Sequence, residues 1–431
     1  MLESYFKLKE HGTSVRTEVV AGITTFLTMA YIIFVNPDIL STTGMDRDAV
    51  FVATCLAAAI GTIIMAFAAN WPVAMAPGMG LNAFFAFTVV AAMGYTWQQA
   101  LGAVFISGVI FLVLTLTGVR KWLIDGIPQS LRSAIVVGIG MFLALIGLNS
   151  AGIVVGDPAT MVALGDLTAP GALLAVLGLF IMAGLDALKV RGAILIGILT
   201  VTAIAMIFGL QAFGGVMSMP PSIMPTLFQM DILGALSFGF FQVILVFVLV
   251  EVFDATGTLI GVAKRAGLIE PDKPNNLGRA LLADSTAIIG GSMLGTSSTT
   301  AYIESASGVQ AGGRTGLTAL VVAILFLLAL FFAPLAGAVP AYATAPALIY
   351  VACLMMREFK EIEWDDITEA VPAGLTALAM PFTYSIANGL AIGFISYAVI
   401  KAVSGKANVV HAATWLVAAL FVIRFAFFDL H

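Results

Sequence analysis

Four acidic residues lie inside strongly apolar stretches of the sequence, where ionisable side chains are rare. Glu251 and Asp254 occur in LVEVFDATGTLIG, Asp284 occurs in ALLADSTAIIGG, and Glu304 follows the hydroxyl run Thr296–Thr300 in GTSSTTAYIESASG. A charge at the centre of a membrane helix costs on the order of 3 kcal/mol. Because Glu251 and Asp254 share one helix face, we expect them to border one polar cavity and to bind a ligand or carry a proton there. The alternative is that these acids pair with hydroxyl and amide groups and only hold helices together.

The other residues that could perform chemistry do not form a catalytic set. The three histidines are His11, His411 and His431, which are too scattered for a metal cluster or a catalytic triad. The sequence also lacks a phosphate-binding Gly-Lys-Ser/Thr loop, so we expect no ATP-driven motor on this chain. Cys55 and Cys353 both lie in apolar spans and predict no disulfide framework. The sequence predicts neither an enzyme nor a bound metal or organic cofactor.

Composition predicts that membrane-spanning helices position the acids. The 431 residues are 61% hydrophobic and only 10% charged, with a mean hydropathy of +1.07, which is typical of polytopic membrane proteins. Apolar runs long enough to cross roughly 30 Å of hydrocarbon recur along the chain. The predicted spans are 17–37, 49–70, 72–94, 98–117, 130–150, 170–186, 192–212, 234–262, 279–294, 297–311, 316–335, 339–356, 367–384, 386–403 and 411–428. This gives about fourteen spans; 411–428 could be a fifteenth, lie at the interface, or show that one earlier helix was divided.

The positions of the basic residues predict the orientation. If the N-terminus is cytoplasmic, the cytoplasmic segments hold all but two of the 19 Lys and Arg residues, including Arg120 and Lys401. The exterior loops hold only Arg47, and Arg424 lies in the last apolar segment. This asymmetry follows the positive-inside rule. We therefore expect a multi-pass protein of the cell inner (plasma) membrane, with its N-terminus in the cytoplasm and no cleaved signal peptide.

Two of the predicted spans are polar and helix-breaking. They are NWPVAMAPGMGLNAFFAF, residues 70–87, and the segment that contains the hydroxyl run. Each is the third of about seven spans in its half of the chain, which indicates a duplication. Because seven is odd, the second copy must be inverted in the membrane. Inverted repeats with paired interrupted helices are typical of secondary transporters, whose substrate sites lie near the midplane at the interruptions.

The residues at the breaks explain why the helices stop there. Pro77 removes an amide donor, and the glycines around it weaken helix propagation, so residues 76–80 are predicted to be irregular. A short helix is then expected to begin near Leu81 or Asn82, with its positive dipole end facing the cavity. The hydroxyl run favours extended backbone and can satisfy local amides.

Five motifs, in order along the chain, resemble one transporter family. They are TEVVAGITTFLTMAYIIFVNP, MAPGMGLNAFFAF, VEVFDATGTLIGVAKRAGL, GTSSTTAYIESASGVQAGGRTGLTA and VPAYATAPALIYVACLMM. They closely resemble the nucleobase/cation symporter superfamily of nucleobase-ascorbate transporter type, and within it the azaguanine-like branch of adenine, guanine and hypoxanthine permeases. The resemblance runs from about residue 5 to residue 404.

This resemblance implies an all-α polytopic membrane protein of about fourteen spans, built as two inverted seven-span repeats. The repeats would be residues 1–212 and 213–431, with short strands in the broken third and tenth spans. A core domain would comprise 17–117 and 234–335, and a gate domain 130–212 and 339–428.

The resemblance also implies a purine site. Its residues, carried over by motif position, are Glu251, Glu304, Asn82, Asp254, Thr300 and Ala301, with Asp284 as a supporting acid. Glu251 or Asp254 is expected to couple a proton, with sodium as the alternative ion, while Glu304 and Asn82 hold the base. The implied function is import of purine nucleobases by symport and alternating access. The expected partners are the nucleobase, the bilayer and, as an option, a second copy of the chain; nucleic acid is not expected.

Two other functional classes stay open at this point. The same fold also carries anions, and helix N-termini favour anions, although four acids at mid-depth argue against an anionic substrate. A membrane sensor or scaffold that does not transport would also tolerate buried polar networks.

Overall fold

The computed structural model describes residues 2–236, 241–269 and 276–427, and the chain is mostly helical over these ranges. In the first half the helices are α1 (Leu2–Tyr5), α2 (Val15–Met29), α3 (Ile32–Ser41), α4 (Arg47–Ile64), α5 (Met79–Ala83), α6 (Trp97–Leu116), α7 (Val119–Asp125), α8 (Gln129–Ser150), α9 (Pro170–Ala187) and α10 (Ala193–Ile207). In the second half they are α11 (Ile232–Ala235), α12 (Phe241–Arg265), α13 (Leu277–Leu294), α14 (Ser305–Gln310), α15 (Gly316–Ala329), α16 (Ala333–Gly337), α17 (Ala341–Met355), α18 (Ile367–Phe382), α19 (Ile386–Val403) and α20 (Ala412–Phe427).

Eight helical stretches of the described ranges are long and apolar enough to cross a membrane. They are Val15–Ser41, Arg47–Ala69, Trp97–Leu116, Gln129–Ser150, Pro170–Ala187, Gln242–Arg265, Gly316–Gly337 and Ile386–Val403. Shorter apolar helices cover Met79–Ala92, Ala193–Ile207, Ile367–Phe382 and Ala412–Ala426. Predicted span 234–262 begins before α12, and its residues 237–240 lie outside the described ranges. Predicted span 192–212 extends past the end of α10 at Ile207.

The last predicted segment, 411–428, forms the separate helix α20, and its residue 428 lies outside the described ranges. Near its start, the Thr414 hydroxyl donates to the Gly126 carbonyl, at 2.7 Å, just after α7. Near its end, the Arg424 guanidinium donates to the Gln242 side chain of α12 at 3.0 Å and to the Asn388 side chain of α19 at 2.8 Å. The segment is therefore a separate helix that contacts three other elements.

Four short strands interrupt the helices. Strand β1 (Met75–Pro77) pairs antiparallel with β4 (Thr299–Ala301), and the central pair is Ala76 with Thr300. Strands β2 (Val154–Asp157) and β3 (Met161–Leu164) form an antiparallel hairpin between α8 and α9 that the sequence analysis did not predict. Strands β1 and β4 lie in the two segments in which the sequence predicts broken helices.

Backbone groups that the two breaks release find partners across the strand pair. The Gly78 amide donates to the Ser298 carbonyl at 2.8 Å, and the Tyr302 amide donates to the Ala74 carbonyl at 2.9 Å. The Ala74 amide in turn donates to the Ser305 hydroxyl at 3.0 Å. Polar backbone at this depth is stable only where protein satisfies it, and each break supplies partners to the other.

The helix after the first break begins at Met79, two residues before the predicted start near Leu81. The prediction that residues 76–80 are irregular is therefore wrong for residues 79 and 80, which are helical. Gly78 is the extended N-cap residue, and Gly80 already lies inside the helix. The helix continues as a π-helix from Phe84 to Ala92.

A buried acid fixes the turn that follows the second break. Glu18 of α2 is completely buried and accepts the amides of Arg314, Thr315 and Thr318 at 2.9, 3.2 and 3.2 Å. The Arg314 and Thr315 amides lie just before α15, and the Thr318 amide in its first turn also donates to the Thr315 carbonyl at 3.2 Å. A carboxylate is also favoured at the positive end of the helix dipole. Glu18 therefore anchors the chain immediately after α14.

Candidate functional site

The β1–β4 pair packs against α12 and α13, so both breaks meet the two helices that carry three of the four predicted acids. The remaining predicted residues lie on the broken segments themselves. The structure therefore collects the candidate residues around the paired strands.

Glu251 of α12 is completely buried and faces the hydroxyl run. Its Oε1 accepts the Ser298 hydroxyl at 2.7 Å and the Ser107 hydroxyl of α6 at 3.3 Å. Its second oxygen, Oε2, has no hydrogen-bond partner among the described residues. One carboxylate oxygen is thus fixed by the protein, and the other is an unused acceptor.

Asn82 of α5 is also completely buried, and its Oδ1 accepts the Ser297 hydroxyl. Its amide nitrogen, Nδ2, has no hydrogen-bond partner within the described ranges. Ser297 and Ser298 are adjacent, so neighbouring residues of one loop hold Asn82 and Glu251. A buried donor and a buried acceptor are therefore left unused in the same region.

Asp254 lies one helical turn after Glu251 and borders the first break. Its side chain is partly buried, and its Oδ2 would lie 3.7 Å from a Cβ built on Gly78. This proximity places Asp254 where the first broken segment turns from strand to helix.

Glu304 is partly buried at the N-cap of α14, directly after the second break. Its Oε1 accepts the Tyr31 hydroxyl at 2.6 Å. Tyr31 lies in the short interruption between α2 and α3 and is itself buried. A phenol that donates to a carboxylate holds it in one orientation and forms one of the stronger kinds of hydrogen bond.

Asp284 of α13 differs from the other acids because it has a full set of partners. Its Oδ2 lies 3.1 Å from the Arg120 Nη2 atom, in an ion pair that is buried on both sides. Its Oδ1 accepts the Thr300 hydroxyl at 3.2 Å and the Ala301 amide at 3.3 Å. The polar donors of Thr300 and Ala301 are therefore directed at Asp284 and hold β4 against α13.

Several residues of this region were not identified from the sequence. The positive-inside rule places Arg120 in a cytoplasmic segment and does not predict that its side chain is only 1% exposed and reaches Asp284. No sequence signal marks Tyr31 or Ser107 as part of this region, although Tyr31 lies in the motif TEVVAGITTFLTMAYIIFVNP. The Tyr302 hydroxyl donates to the Pro77 carbonyl at 2.6 Å and links the two breaks. The hydroxyl run gave a sequence signal, but its hydroxyls contact side chains of other elements, namely Asn82, Glu251 and Asp284, rather than the local amides that were predicted.

The described ranges contain no group of three or more His, Cys, Asp or Glu side chains that could hold a metal ion. The chemistry available is that of hydrogen-bonding carboxylates, hydroxyls and one amide. Such a set suits an uncharged polar ligand that both donates and accepts.

The fold is similar to that of solved anion transporters. The transmembrane domain of a cyanobacterium bicarbonate transporter, BicA, matches with a TM-score of 0.64 and 16% identity, over 88% of this chain and 97% of that one. SLC26A9 matches with a TM-score of 0.66 and 10% identity, over 90% of this chain and 66% of that one. At this level of identity the likeness concerns the fold alone.

Relatives among characterised sequences match over nearly their whole length. The adenine permease AdeP of Escherichia coli K12 is 51% identical over 100% of this chain and 97% of its own length. The guanine/hypoxanthine permease PbuO of Bacillus subtilis 168 is 48% identical over 97% of this chain and 99% of its own length.

A family model described as "Permease family" matches residues 16–392, which include both breaks and all four acids. This match and the full-length relatives agree with the motifs quoted from the sequence. The chain therefore belongs to the nucleobase-ascorbate transporter family of permeases, and it is a multi-pass membrane transport protein rather than an enzyme.

Proposed function

We propose that this permease imports purine nucleobases into the cell by proton symport and alternating access. The names of its relatives support the substrate class, because both the adenine permease and the guanine/hypoxanthine permease match along nearly the entire chain. The chemistry of the candidate site supports it independently.

The observation that carries the proposal is the pair of unused polar atoms near the strand pair. Glu251 Oε2 is a buried acceptor and Asn82 Nδ2 is a buried donor, and neither has a partner among the described residues. Leaving such groups unpaired costs about 1–3 kcal/mol each, so a ligand that satisfies both is strongly favoured. A purine presents ring N–H donors next to ring nitrogen acceptors on a flat, uncharged frame, and it meets this requirement.

The acids take different roles in the proposed mechanism. Glu304 and Asn82 hold the base, and either Glu251 or Asp254 carries the proton. Thr300 and Ala301 line the site through β4, with Asp284 behind them as support. A hydrogen bond to an ionised carboxylate is about twice as strong as one between neutral groups, which helps to offset the removal of water from the base.

The proposed architecture is fourteen spans in two inverted repeats, 1–212 and 213–431, with α20 after the fourteenth span. The core domain is 17–117 and 234–335, and the gate domain is 130–212 and 339–428. Gly80 of α5 packs against Ile139 of α8, a contact that would lie between the two proposed domains. Movement of α8 and its neighbours past α5 would open the site first to one side of the membrane and then to the other. We place the protein in the inner membrane with a cytoplasmic N-terminus.

An uptake assay in cells that lack their own purine permeases tests this function. Labelled adenine, guanine, hypoxanthine, xanthine and uracil are compared, each with and without a protonophore and with sodium replaced by choline. We expect concentrative uptake of at least one purine that collapses with the protonophore and persists without sodium. Absence of concentrative purine uptake by a well-expressed protein would contradict the proposal and favour a sensor or scaffold.

Bicarbonate and sulfate uptake are measured in the same cells, because anion carriers share the fold. Around the site, Glu251, Asp254 and Glu304 have no cationic ion-pair partner among the described residues. Ionised carboxylates at these positions would disfavour an anion. Anion flux in place of purine flux would reverse the assignment.

A further inference from the structure

Arg120 is a buried cation at the junction of four helices. It follows the turn between α6 and α7, and its side chain is 1% exposed. Its Nε donates to the Thr256 hydroxyl of α12 at 3.1 Å, and its Nη1 donates to the Leu281 carbonyl of α13 at 3.2 Å. Its guanidinium carbon also lies 3.9 Å from the centre of the Phe111 ring of α6. The planar fork of arginine suits such a multiple contact, and lysine could not reproduce it.

The acid that Arg120 pairs with is the one that fixes β4. Asp284 uses one oxygen for Arg120 and the other for the Thr300 hydroxyl and the Ala301 amide. The same loop carries Ser298, whose hydroxyl holds Glu251. Polar contacts therefore connect the Arg120 guanidinium to Asp284 and β4, and Ser298, just before β4, connects to the Glu251 carboxylate.

We infer that Arg120 is a positioning residue of the transport site: it supplies the counter-charge to Asp284, and Asp284 thereby holds β4 in place rather than carrying the coupling proton. This inference deepens the function proposed above and rests on it for its transport readouts. It leaves Glu251 and Asp254 as the proton carriers. It also gives Arg120 a role that its position in the sequence, at the end of a span, did not indicate.

The test uses a mutant cycle on the buried pair, with Arg120→Gln, Asp284→Asn and the double variant. Removing one partner leaves an uncompensated buried charge, whereas replacing both leaves a neutral pair that retains hydrogen-bonding groups. For Arg120→Gln we expect purine uptake to fall at least tenfold. The double variant should return to within about threefold of the wild-type rate, and the dependence of its KM on external pH between 5 and 8 should match that of the wild type.

Hydrogen–deuterium exchange of the detergent-solubilised protein gives a readout that does not depend on transport. We expect peptides covering residues 296–302 to exchange at least tenfold faster in Arg120→Gln, and to recover their protection in the double variant. Arg120→Lys keeps the positive charge but not the planar guanidinium. Its exchange rate for residues 296–302 should lie between those of the wild type and Arg120→Gln. If Arg120→Gln expresses too poorly to measure, the double variant and Arg120→Lys still decide the outcome.

A matched control neutralises a buried pair away from the site. Lys401 and Glu369, on α19 and α18, form an ion pair at 2.7 Å with both side chains largely buried. Lys401→Gln/Glu369→Gln should leave the exchange of residues 296–302 and the KM for purine unchanged.

Two results would overturn the inference. One is normal uptake and normal exchange in Arg120→Gln. The other is a double variant that is folded but whose KM no longer responds to pH, since Asp284 would then be the titrating group. If instead the wild type takes up no purine, the proposed function fails, and the exchange data alone still decide whether Arg120 positions β4.

Discussion

The two broken segments have the same outline but contribute different chemistry to the site. In each, a three-residue strand precedes a short helix, β1 before α5 and β4 before α14. In the first segment Pro77 and Gly78 produce the break, and Asn82 is the polar side chain placed in the site. In the second segment the hydroxyl run makes the break and supplies partners for groups on other elements, namely Asn82, Glu251 and Asp284.

This difference shows how a polar site can be stabilised inside a membrane. The first segment depends on backbone shape, because proline and glycine set where the helix stops. The second depends on side-chain hydrogen bonds, because serine and threonine hydroxyls replace water for buried acids and an amide. We therefore expect the first segment to be sensitive to added volume and the second to removal of single oxygen atoms.

The largest effect is expected at the acid that belongs to the second segment. Glu304→Gln should abolish accumulation of labelled purine while membrane expression is retained, because the ionised acceptor is lost. Tyr31→Phe removes only the hydroxyl that orients Glu304 and should lower uptake about tenfold, as expected for loss of a hydrogen bond to a charged group. Initial rates of uptake at several purine concentrations measure both effects. Near-normal uptake by Glu304→Gln would remove this residue from the site.

Added volume tests the first segment. A Cβ built on Gly80 would lie 2.7 Å from Ile139 Cγ2, too close for the two helices to keep their positions. Overpacking of this kind costs about 1–3 kcal/mol, so Gly80→Ala should lower the uptake rate about tenfold. Gly80→Ala/Ile139→Ala should restore much of it, because the second change removes the clashing methyl.

Gly184→Ala is the control for this pair. A Cβ at Gly184 of α9 has no atom within 4 Å among its described surroundings, so uptake should be unchanged. Failure of Ile139→Ala to rescue Gly80→Ala would show that the contact between α5 and α8 does not limit transport.

Removal of a single hydroxyl tests the second segment and should have a smaller effect. Ser298→Ala deletes the 2.7 Å hydrogen bond to Glu251 and leaves only the longer 3.3 Å contact with the Ser107 hydroxyl, which also lies 2.8 Å from the Val104 carbonyl. We expect KM for purine to rise about fivefold, in line with about 1 kcal/mol for one hydrogen bond. Ser292→Ala is the matched control, since that hydroxyl donates to the Ile289 carbonyl within its own helix. Equal effects of the two changes would contradict a special role for the hydroxyl run.

The smallest effect is expected at the surface, where a threonine hydroxyl also donates to a carboxylate. Asp366, the N-cap residue of α18, accepts the Thr368 hydroxyl at 2.8 Å. This hydroxyl, the Thr368 amide and the Lys406 ammonium hold the pKa of Asp366 well below its usual range. A lowered folded-state pKa stabilises the fold above the unfolded pKa of about 3.9 and loses that effect as pH falls below it.

We therefore expect Asp366→Asn to lower the thermal unfolding midpoint in detergent by about 1 °C at pH 7, which is typical of exposed charge contacts. The difference from the wild type should shrink as the pH falls below about 4. Asp365→Asn, which changes the exposed neighbouring acid and leaves the N-cap intact, should not change the unfolding midpoint at pH 7. A constant difference at all pH values would mean that the carboxylate charge of Asp366 is not what stabilises the helix.

Much of this site could be predicted from the sequence because charge in an apolar span is rare. The cost of burying a carboxylate singles out Glu251, Asp254 and Glu304 without any knowledge of the fold. Proline, glycine and a hydroxyl run likewise mark the breaks, since their effects on the backbone are local.

Contacts between distant segments could not be predicted in this way. Arg120 lies at the end of a predicted span, and nothing in its local sequence indicates that it turns inward to meet Asp284. The positive-inside rule assigns such residues to a side of the membrane, but it says nothing about the direction of their side chains. The β2–β3 hairpin and the α20 contacts were missed for the same reason, because they depend on tertiary packing.

The pairing of β1 with β4 also constrains biosynthesis. The Tyr302 hydroxyl and the Pro77 carbonyl that it contacts are 225 residues apart, and the first strand emerges from the ribosome long before the second. Until then, the polar backbone of β1 lacks its native partner in a medium that cannot replace it. We expect the N-terminal half to be inserted as an incomplete bundle that needs water, a neighbouring chain or an insertion chaperone at that position. Expressed alone, this half should be a substrate for membrane proteases, and co-expression of the other half should protect it.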